Sequence, residues 1–235
     1  MFSAAGPSHA QFLVQGKIEF ERKINVHKQY DGDSEWFNEI KKNIPQYHVS
    51  YFDFLFTGDK SIYKPGRENP DNNKQTWGSQ GSARENIVYC DFTGGIFASQ
   101  KRVFEQNFLT EDSLGKIQWK LTSDTRKIAG FECRKATAII MDSVYVFAFY
   151  TDEIIVTGGP ESFNGLPGMI LGIAIPRLST TWFATKVELQ QVPETVFKKP
   201  SKGKKTNLVS LQETLQSTFK EWGKYMHRHI WFTML

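Results

Sequence analysis

The chain has 235 residues, 40% of them hydrophobic, and a formal net charge of +4. This length allows one large or two small domains with a substantial core. The segment "KKPSKGKK" supplies five lysines and no acid, so the remainder of the chain is nearly neutral, which excludes the charge balance typical of nucleic-acid-binding proteins. No apolar run reaches the roughly 20 residues of a membrane-spanning helix. The aromatic content of 14% favours a globular, sheet-rich protein.

Residues 1–15 are predicted to be the remnant of an export signal or a flexible tail. Ser8, His9 and Ala10 match the small-residue pattern of a signal-peptidase cleavage site, and Gln11 follows directly. The charged and apolar regions of a complete signal peptide do not precede them. We expect the mature protein to begin at Gln11.

The first half of the chain predicts two strands, a short helix and a long loop. Alternation in "GKIEFERKINVHK" places four apolar side chains on one face of a half-buried strand: Ile18, Phe20, Ile24 and Val26. "SEWFNEIKKNIP" predicts a helix with Ser34 as its N-cap. "YHVSYFDFLF" predicts a strand with three phenylalanines on one face: Phe52, Phe54 and Phe56. Residues 65–86 contain few apolar side chains, which is typical of a long polar loop.

The second half predicts a run of strands followed by a helix. Strand candidates are "NIVYCDF", "IFASQKRVFEQNFL", "KIQWKLT", "KIAGFECRKATAII", "VYVFAFYT" and "TTWFATKVEL". "TSDTRK" is interpreted as a hairpin turn at Asp124. The lysine-rich residues 198–206 are interpreted as a solvated linker. Beyond it, apolar residues in "NLVSLQETLQSTFKEWGKYM" recur at helical spacing and predict one amphipathic helix.

These elements predict a mainly β fold, namely a curved antiparallel sheet or open barrel with one short early helix and an amphipathic C-terminal helix. Short turns, rather than helical crossovers, join the successive strands, and such connections produce antiparallel pairs. Since no internal repeat is evident, residues 16–235 are expected to form a single domain.

The stretch "GPESFNGLPGMILGIAI" is expected to be a stiff turn that leads into a buried strand. Pro167 and Gly168 suit the two central positions of a type II turn, the second of which needs a positive φ. "MILGIAI" has the aliphatic character of a strand buried on both faces. Glu161 and Ser162 are expected to be replaceable surface residues. The residues assigned to this motif loop are Gly159, Pro160, Gly165, Leu166, Pro167 and Gly168.

No catalytic, cofactor or metal site is identified among the polar residues. His227 and His229 are two positions apart, so a helix would point them in different directions. Cys90 and Cys133 lie in strand-like runs as two buried thiols, with a single disulfide as the alternative. With two thiols and no CxxC pair, the sequence does not predict a zinc site.

Two segments, "SDTRKIAGFECRKATA" and "VYVFAFYTDEIIVTGGPESFNGLPGMILGIAI", resemble the GLPGLI family of exported bacterial proteins of unknown function. Residues 165–170 here spell GLPGMI, and "FLFTGDKSIYKP" is also similar to an earlier segment of the family. The resemblance spans roughly residues 16–189. Three positions depart from the family pattern: Phe149 replaces tryptophan, Ile155 replaces proline and Gly172 replaces an acidic residue. The resemblance implies a β-rich fold and export to the periplasm or cell envelope, and it implies no activity. A similar domain precedes the catalytic part of certain bacterial glycan-amidases.

Two functions remain open at this point. The first is a non-catalytic envelope module whose curved sheet presents aromatic side chains to a hydrophobic ligand, a peptide or a partner protein. Its candidate binding residues are Phe52, Phe54, Trp119, Phe147 and Phe149. The alternative is a hydrolase with an unrecognised site. A binding sheet needs an apolar concavity, whereas a hydrolase needs at least two ionisable side chains that converge in a cleft.

Overall fold

One open, mainly antiparallel sheet of twelve strands organises the protein. The computed structural model describes residues 14–29, 35–73, 85–103 and 105–235. The strands are β1 (Gly16–Asn25), β2 (Tyr47–Phe56), β3 (Lys60–Pro65), β4 (Ile87–Asp91), β5 (Ile96–Val103), β6 (Gln106–Ser113), β7 (Lys120–Ile128), β8 (Phe131–Ile140), β9 (Val144–Thr151), β10 (Met169–Ile175), β11 (Thr180–Glu188) and β12 (Lys204–Thr206). The predicted fold class is confirmed.

Two meanders meet in the middle of the sheet. The spatial order is β12-β6-β5-β4-β3-β2-β1-β11-β10-β9-β8-β7, so β1 and β11 join the two halves. Neighbouring strands are antiparallel except β12, which runs parallel to β6. The edge strand β7 also contacts β11, but the sheet does not close into a barrel.

The alternation of apolar residues decides which face of the sheet is buried. In β1 and β2, every second side chain is buried and the intervening ones are half-buried or exposed. We call the buried side the core face; its residues include Ile18, Phe20, Phe52 and Phe54, each at most 1% exposed. Strand β10 is buried on both faces, as its continuous aliphatic sequence predicts.

Three α-helices flank the sheet in the described residues: α1 (Glu35–Asn43), α2 (Leu208–Thr218) and α3 (Met226–Met234). The Asn207 side chain caps α2 by accepting a hydrogen bond of 2.8 Å from the Ser210 N–H. Leu211 and Leu215 of α2 pack with Val103 and Phe108 of the sheet. None of these helices has the length and apolar character needed to cross a bilayer.

Two local predictions are wrong. "TSDTRK" is not a hairpin turn: it lies inside β7, where the register with β8 shifts between Leu121 and Thr125. The turn falls at Ala129 and Gly130, both with positive φ. The single C-terminal helix is in fact broken, because Gly223 adopts a non-helical φ of 54° and ψ of −130° between α2 and α3.

Two segments that were predicted to be irregular contain some regular structure. A third predicted segment, the export-signal remnant, lies outside the described residues. In the lysine-rich segment, residues 204–206 form the edge strand β12. The polar loop contains a 3₁₀ turn at Pro70–Asn73, and its residues 74–84 lie outside the described ranges. The predicted export-signal remnant and the mature start at Gln11 also lie outside the described ranges.

Candidate functional site

The motif loop between β9 and β10 is folded against the core face of the sheet. Gly159, Pro160, Leu166 and Gly168 are buried, whereas Gly165 and Pro167 are exposed. Gly168 has the predicted positive φ of 142°, and a Cβ there would collide with the carbonyl oxygen of Thr151. The turn is tighter than a type II turn, because the Gly168 N–H donates to the Leu166 carbonyl at 2.8 Å.

Glu161, at the tip of this loop, carries a buried carboxylate. The residue is 2% exposed and adopts the left-handed backbone conformation with φ of 54°. Its Oε2 accepts a hydrogen bond of 3.1 Å from Asn86 Nδ2. The expectation that Glu161 is a surface residue is therefore wrong. Its neighbour Ser162 is half-buried and donates from Oγ to the Leu235 backbone oxygen at 3.2 Å.

Two buried cations accompany this carboxylate on the core face. Arg22 of β1 is 0% exposed and Lys101 of β5 is 5% exposed. The Arg22 guanidinium lies 4.9 Å from the centre of the Phe52 ring. Burial lowers the pKa of the Lys101 ammonium, and the negative charge of Glu161 opposes that shift. We call Arg22, Lys101 and Glu161 the internal charge cluster.

Neutral polar groups complete the surroundings of the cluster. Burial raises the pKa of the Tyr63 hydroxyl well above its usual value, and the charge of Glu161 adds to this effect, whereas Arg22 opposes it. Tyr63 therefore stays protonated beside the carboxylate. Trp182 is the cross-strand neighbour of Arg22. Among the described residues, the Tyr63 hydroxyl and the Trp182 indole N–H find no partner with full hydrogen-bond geometry.

The opposite side of the sheet, which we call the aromatic face, is half-exposed and mixes rings with charges. One lateral row crosses six neighbouring strands, from β2 to β8. In this row each residue is the register partner of the next: Tyr51, Glu21, Phe183, Gly172, Phe149 and Lys135. A Cβ at Gly172 would lie 2.6 Å from Phe183 Cε1, so glycine allows Phe149 and Phe183 to approach across β10 with ring centres 6.0 Å apart.

Cationic side chains cover the rings of this face. The guanidinium carbon of Arg67 lies 3.3 Å from the Tyr51 ring centre. That of Arg126 lies 5.1 Å from Phe149 and 4.8 Å from Phe183. Such pairs are favourable because the face of an aromatic ring is electron-rich. The aromatic face therefore presents ring edges together with exposed hydrogen-bond donors.

A carboxylate holds one of these cations, Arg67, in place. Arg67 Nε donates to Glu19 Oε2 at 2.9 Å, and Glu19 also accepts from Thr185 Oγ1 at 2.7 Å. Burial alone would raise the pKa of Glu19, but the hydrogen bonds from Thr185 and Arg67 outweigh it, so this pKa lies below its usual value. Glu19 is thus ionised at neutral pH and orients Arg67 over Tyr51.

The five aromatic residues predicted to bind a ligand do not converge. Phe52 and Phe54 lie on the core face, 1% exposed each. Phe147 and Phe149 are half-buried on the aromatic face, because they have the opposite parity in their strand. Trp119 is half-buried in the segment before β7, and its Nε1 donates to the Asn164 carbonyl at 2.9 Å. The structure thus brings together only Phe147 and Phe149.

Sequence reasoning also missed the internal charge cluster. Arg22 has the same parity in β1 as Phe20 and Ile24, and Lys101 has the same parity in β5 as Ser99 and Val103. The alternation of side chains along β1 and β5 could therefore have predicted that both cations are buried. Nothing in the loop sequence indicates the burial of Glu161.

The cysteines and histidines form no reactive centre in the described residues. Cys90 and Cys133 are free and buried, and burial raises the pKa of each thiol to about 12. His227 stacks on Trp231 and His229 on Phe219, so the two rings point to different partners. No cluster of three or more His, Cys, Asp or Glu side chains in the described ranges could hold a metal ion.

Comparison with known proteins gives one family and one fold. A sequence model of the family described as "N-glycanase peptide, N-terminal domain" matches residues 92–213, more than half of the chain. Two structures of PNGF-II are similar. The form in space group C2 is 16% identical with a TM-score of 0.53, over 93% of this chain and 33% of that chain. The form in space group P21 is 15% identical with a TM-score of 0.54, over 86% and 33%.

These structural likenesses show the fold alone at such low identity. The chain spans about a third of the length of the PNGF-II structures. Comparison with curated proteins found no match.

The resemblance to the GLPGLI family is wrong. The segment that spells GLPGMI lies within residues 92–213, which match a different family. A short motif of glycine and proline is weak evidence for a family, because the backbone conformation alone can require these residues. Here the positive φ of Gly168 and the closeness of Thr151 require glycine, and any tight turn before a buried strand imposes similar requirements. Export, which that resemblance implied, stays a prediction.

Proposed function

Since the chain belongs to the family of N-glycanase peptide N-terminal domains, we propose that it is a non-catalytic binding domain that holds a glycan-bearing peptide on its aromatic face. The observation that carries the proposal is the row of rings and charges from Tyr51 to Lys135 on the half-exposed side of the sheet. The sequence predicted a hydrophobic ligand, a peptide or a partner protein. The present proposal keeps the peptide and replaces the hydrophobic ligand with a polar sugar attached to that peptide.

The chemistry of this face suits a sugar. Sugar rings offer hydroxyls that need charged or polar hydrogen-bond partners, and their C–H groups can contact the ring edges that the covering cations leave accessible. Arg67 and Arg126 supply exposed donors next to the rings. Glu21 supplies an acceptor, and it also accepts a hydrogen bond from the Tyr51 hydroxyl at 3.5 Å.

The burial of the internal charge cluster supports a binding role over catalysis. A hydrolytic site requires ionisable groups within hydrogen-bond distance of the substrate. Glu161 is 2% exposed because the motif loop that carries it is folded against the core face, so its carboxylate lies too deep to contact a glycopeptide.

The proposal is tested by calorimetric titration of the chain with an N-glycopeptide, with the same peptide lacking its glycan, and with the free glycan. We expect binding of the glycopeptide and the free glycan, and weak or no binding of the bare peptide. Arg126→Ala and Arg67→Ala should each weaken glycopeptide binding about tenfold, as loss of an interface arginine commonly does.

Arg177→Ala is the matched control. Arg177 is also an exposed arginine over an aromatic ring, 4.6 Å from the centre of Trp231, but it lies in the connection between β10 and β11, away from the row. Its replacement should leave binding unchanged. Equal affinity for the bare peptide, or a loss caused by Arg177→Ala and not by Arg126→Ala, would contradict the proposal. Release of the glycan by this chain alone would show catalysis instead.

A further inference from the structure

A pocket of about 110 Å³ lies on the core face, between the sheet and the C-terminal helices. It is lined by side chains of β4, β5, β6, α2 and α3 and by the segment before β7. Gly115 is exposed and Ile117, Ser162, Leu208 and Met234 are half-buried, so these five residues form its rim. The volume is sufficient for several water-sized groups.

Three polar side chains meet on the floor of this pocket. Ser99 and Lys101 are two positions apart on β5 and so share the core face, and Thr110 of β6 is the register partner of Ser99. All three are at most 5% exposed and line the pocket. Side chains on adjacent positions of one sheet face lie within reach of a single small ligand.

The hydrogen-bonding capacity of this floor is only partly used. The Lys101 ammonium has three donors, and the described residues supply one acceptor, the Thr233 carbonyl at 3.1 Å. The Thr110 hydroxyl is buried without a partner among the described residues. A buried polar group without a partner is costly, so its presence beside a cavity indicates a ligand or water that completes its bonds.

The charge and the walls define the ligand. The Lys101 ammonium has three donors and only the Thr233 carbonyl as an acceptor among the described residues, so an anionic group at this end of the pocket would accept a charge-assisted hydrogen bond from it. Above the polar floor, the walls are apolar and include Val88, Phe97 and Leu211. A ligand that satisfies both regions has an anionic head and a short apolar tail.

We propose that this pocket binds a short-chain aliphatic carboxylate, of about four to six carbons as judged from its volume, with the carboxylate on Lys101 and Thr110 and the alkyl chain against the apolar walls. This site is independent of the aromatic face, which lies on the other side of the sheet. Its occupant is a small molecule rather than a glycan.

The test is a titration of ¹⁵N-labelled chain at neutral pH with sodium butyrate and sodium hexanoate, read from amide chemical shifts. We expect saturable binding with a dissociation constant of about 1 mM, as is typical of a ligand of this size. The shifts should be largest at β5, β6 and the end of α3. The matching alcohols, butanol and hexanol, should bind at least tenfold more weakly because they lack the charge.

Two variants and one control locate the site. Lys101→Met keeps the length of the side chain and should weaken carboxylate binding more than tenfold. Thr110→Val is nearly isosteric, so it should preserve the fold, and it should weaken binding several-fold. Lys202→Met removes an exposed lysine and should change nothing, which controls for the loss of one positive charge from the protein.

Several outcomes would overturn the proposal. These are the absence of saturation by either carboxylate, equal binding of the alcohols, and undiminished binding in both Thr110→Val and Lys101→Met. Stronger binding of inorganic phosphate than of either carboxylate would also overturn it, because it would indicate an anion site in which the apolar walls play no role.

Discussion

The replacement Glu161→Gln should destabilise the fold strongly, although it changes one atom in a loop. Glutamine keeps the size of the side chain and can still accept the hydrogen bond from Asn86 Nδ2. Glutamate and glutamine both lack β-branching, and either would adopt the left-handed backbone conformation at position 161, with φ of 54°. Any backbone strain at this position is therefore the same in the native protein and the variant. The replacement therefore isolates the charge.

The expected loss of unfolding free energy depends on the buried charge that Glu161 compensates. Glu161 is 2% exposed, and its negative charge acts on the buried ammonium of Lys101, which is 5% exposed. Removing one partner of a buried ion pair leaves uncompensated charge and typically costs about 3–5 kcal/mol. For a chain of this size, that cost corresponds to a fall in melting temperature of roughly 6–20 °C.

Urea unfolding followed by tryptophan fluorescence measures this loss. Glu153→Gln is the matched control, because Glu153 precedes the same loop and is exposed; it should change the unfolding free energy by less than about 0.5 kcal/mol. Adding Lys101→Met to Glu161→Gln should recover part of the loss, since it removes the cation on which the Glu161 charge acts.

Equal stability of Glu161→Gln and Glu153→Gln would show that the Glu161 charge does not stabilise the fold. Strictly additive effects of Lys101→Met and Glu161→Gln would also contradict the prediction, because the two charges would then be uncoupled.

Three further predictions concern the turn and the thiols. Gly168→Val should lower the unfolding free energy by more than about 2 kcal/mol, because Gly168 has a φ of 142° and a Cβ there would collide with Thr151. Gly130→Asn is the control, because Gly130 lies in a turn with open space around it. Equal urea midpoints for the two variants would contradict the structural role given to Gly168. The thiols of Cys90 and Cys133, whose pKa values burial raises to about 12, should react with a thiol reagent at pH 8 only after unfolding, so rapid modification of the native chain would be contrary evidence. In the unfolded chain the Cys90 thiol loses its proton at its ordinary pKa of 9.0, before the folded chain does. The free energy of unfolding should therefore fall as the pH rises from about 9 toward 12. Cys90→Ala should reduce that fall in urea titrations across this pH range, and an identical pH profile for the two proteins would contradict the prediction.

Much of the fold could be predicted from the periodicity of the sequence. Strict alternation marks β1 and β2, and an unbroken aliphatic run marks β10, because burial on one face or on two faces produces these patterns directly. The errors fall where a local signal has two structural causes. Polar residues around Asp124 produce a register shift within β7 rather than a turn, since the same residues tolerate both irregular conformations.

The candidate site was harder to predict because it depends on contacts between distant segments. Glu161 and Asn86 are 75 positions apart, and their hydrogen bond exists only when the motif loop folds onto the core face. The aromatic face likewise joins Phe149 and Phe183 through the single position Gly172, which the incorrect comparison with the GLPGLI family marked only as a missing acidic residue. The alternation of side chains along β1 and β5 could have predicted that Arg22 and Lys101 are buried, but no pattern in the loop sequence could have predicted the burial of Glu161.

Mapping amide chemical shifts of the chain during titration with an N-glycopeptide tests the central claim most directly. The account predicts that the largest changes fall on the aromatic face, along the row Tyr51, Glu21, Phe183, Gly172, Phe149 and Lys135, with small changes at α2 and α3. Changes confined to the helices or to the motif loop, or no saturable change at all, would contradict the assignment of this face as the glycan-binding surface.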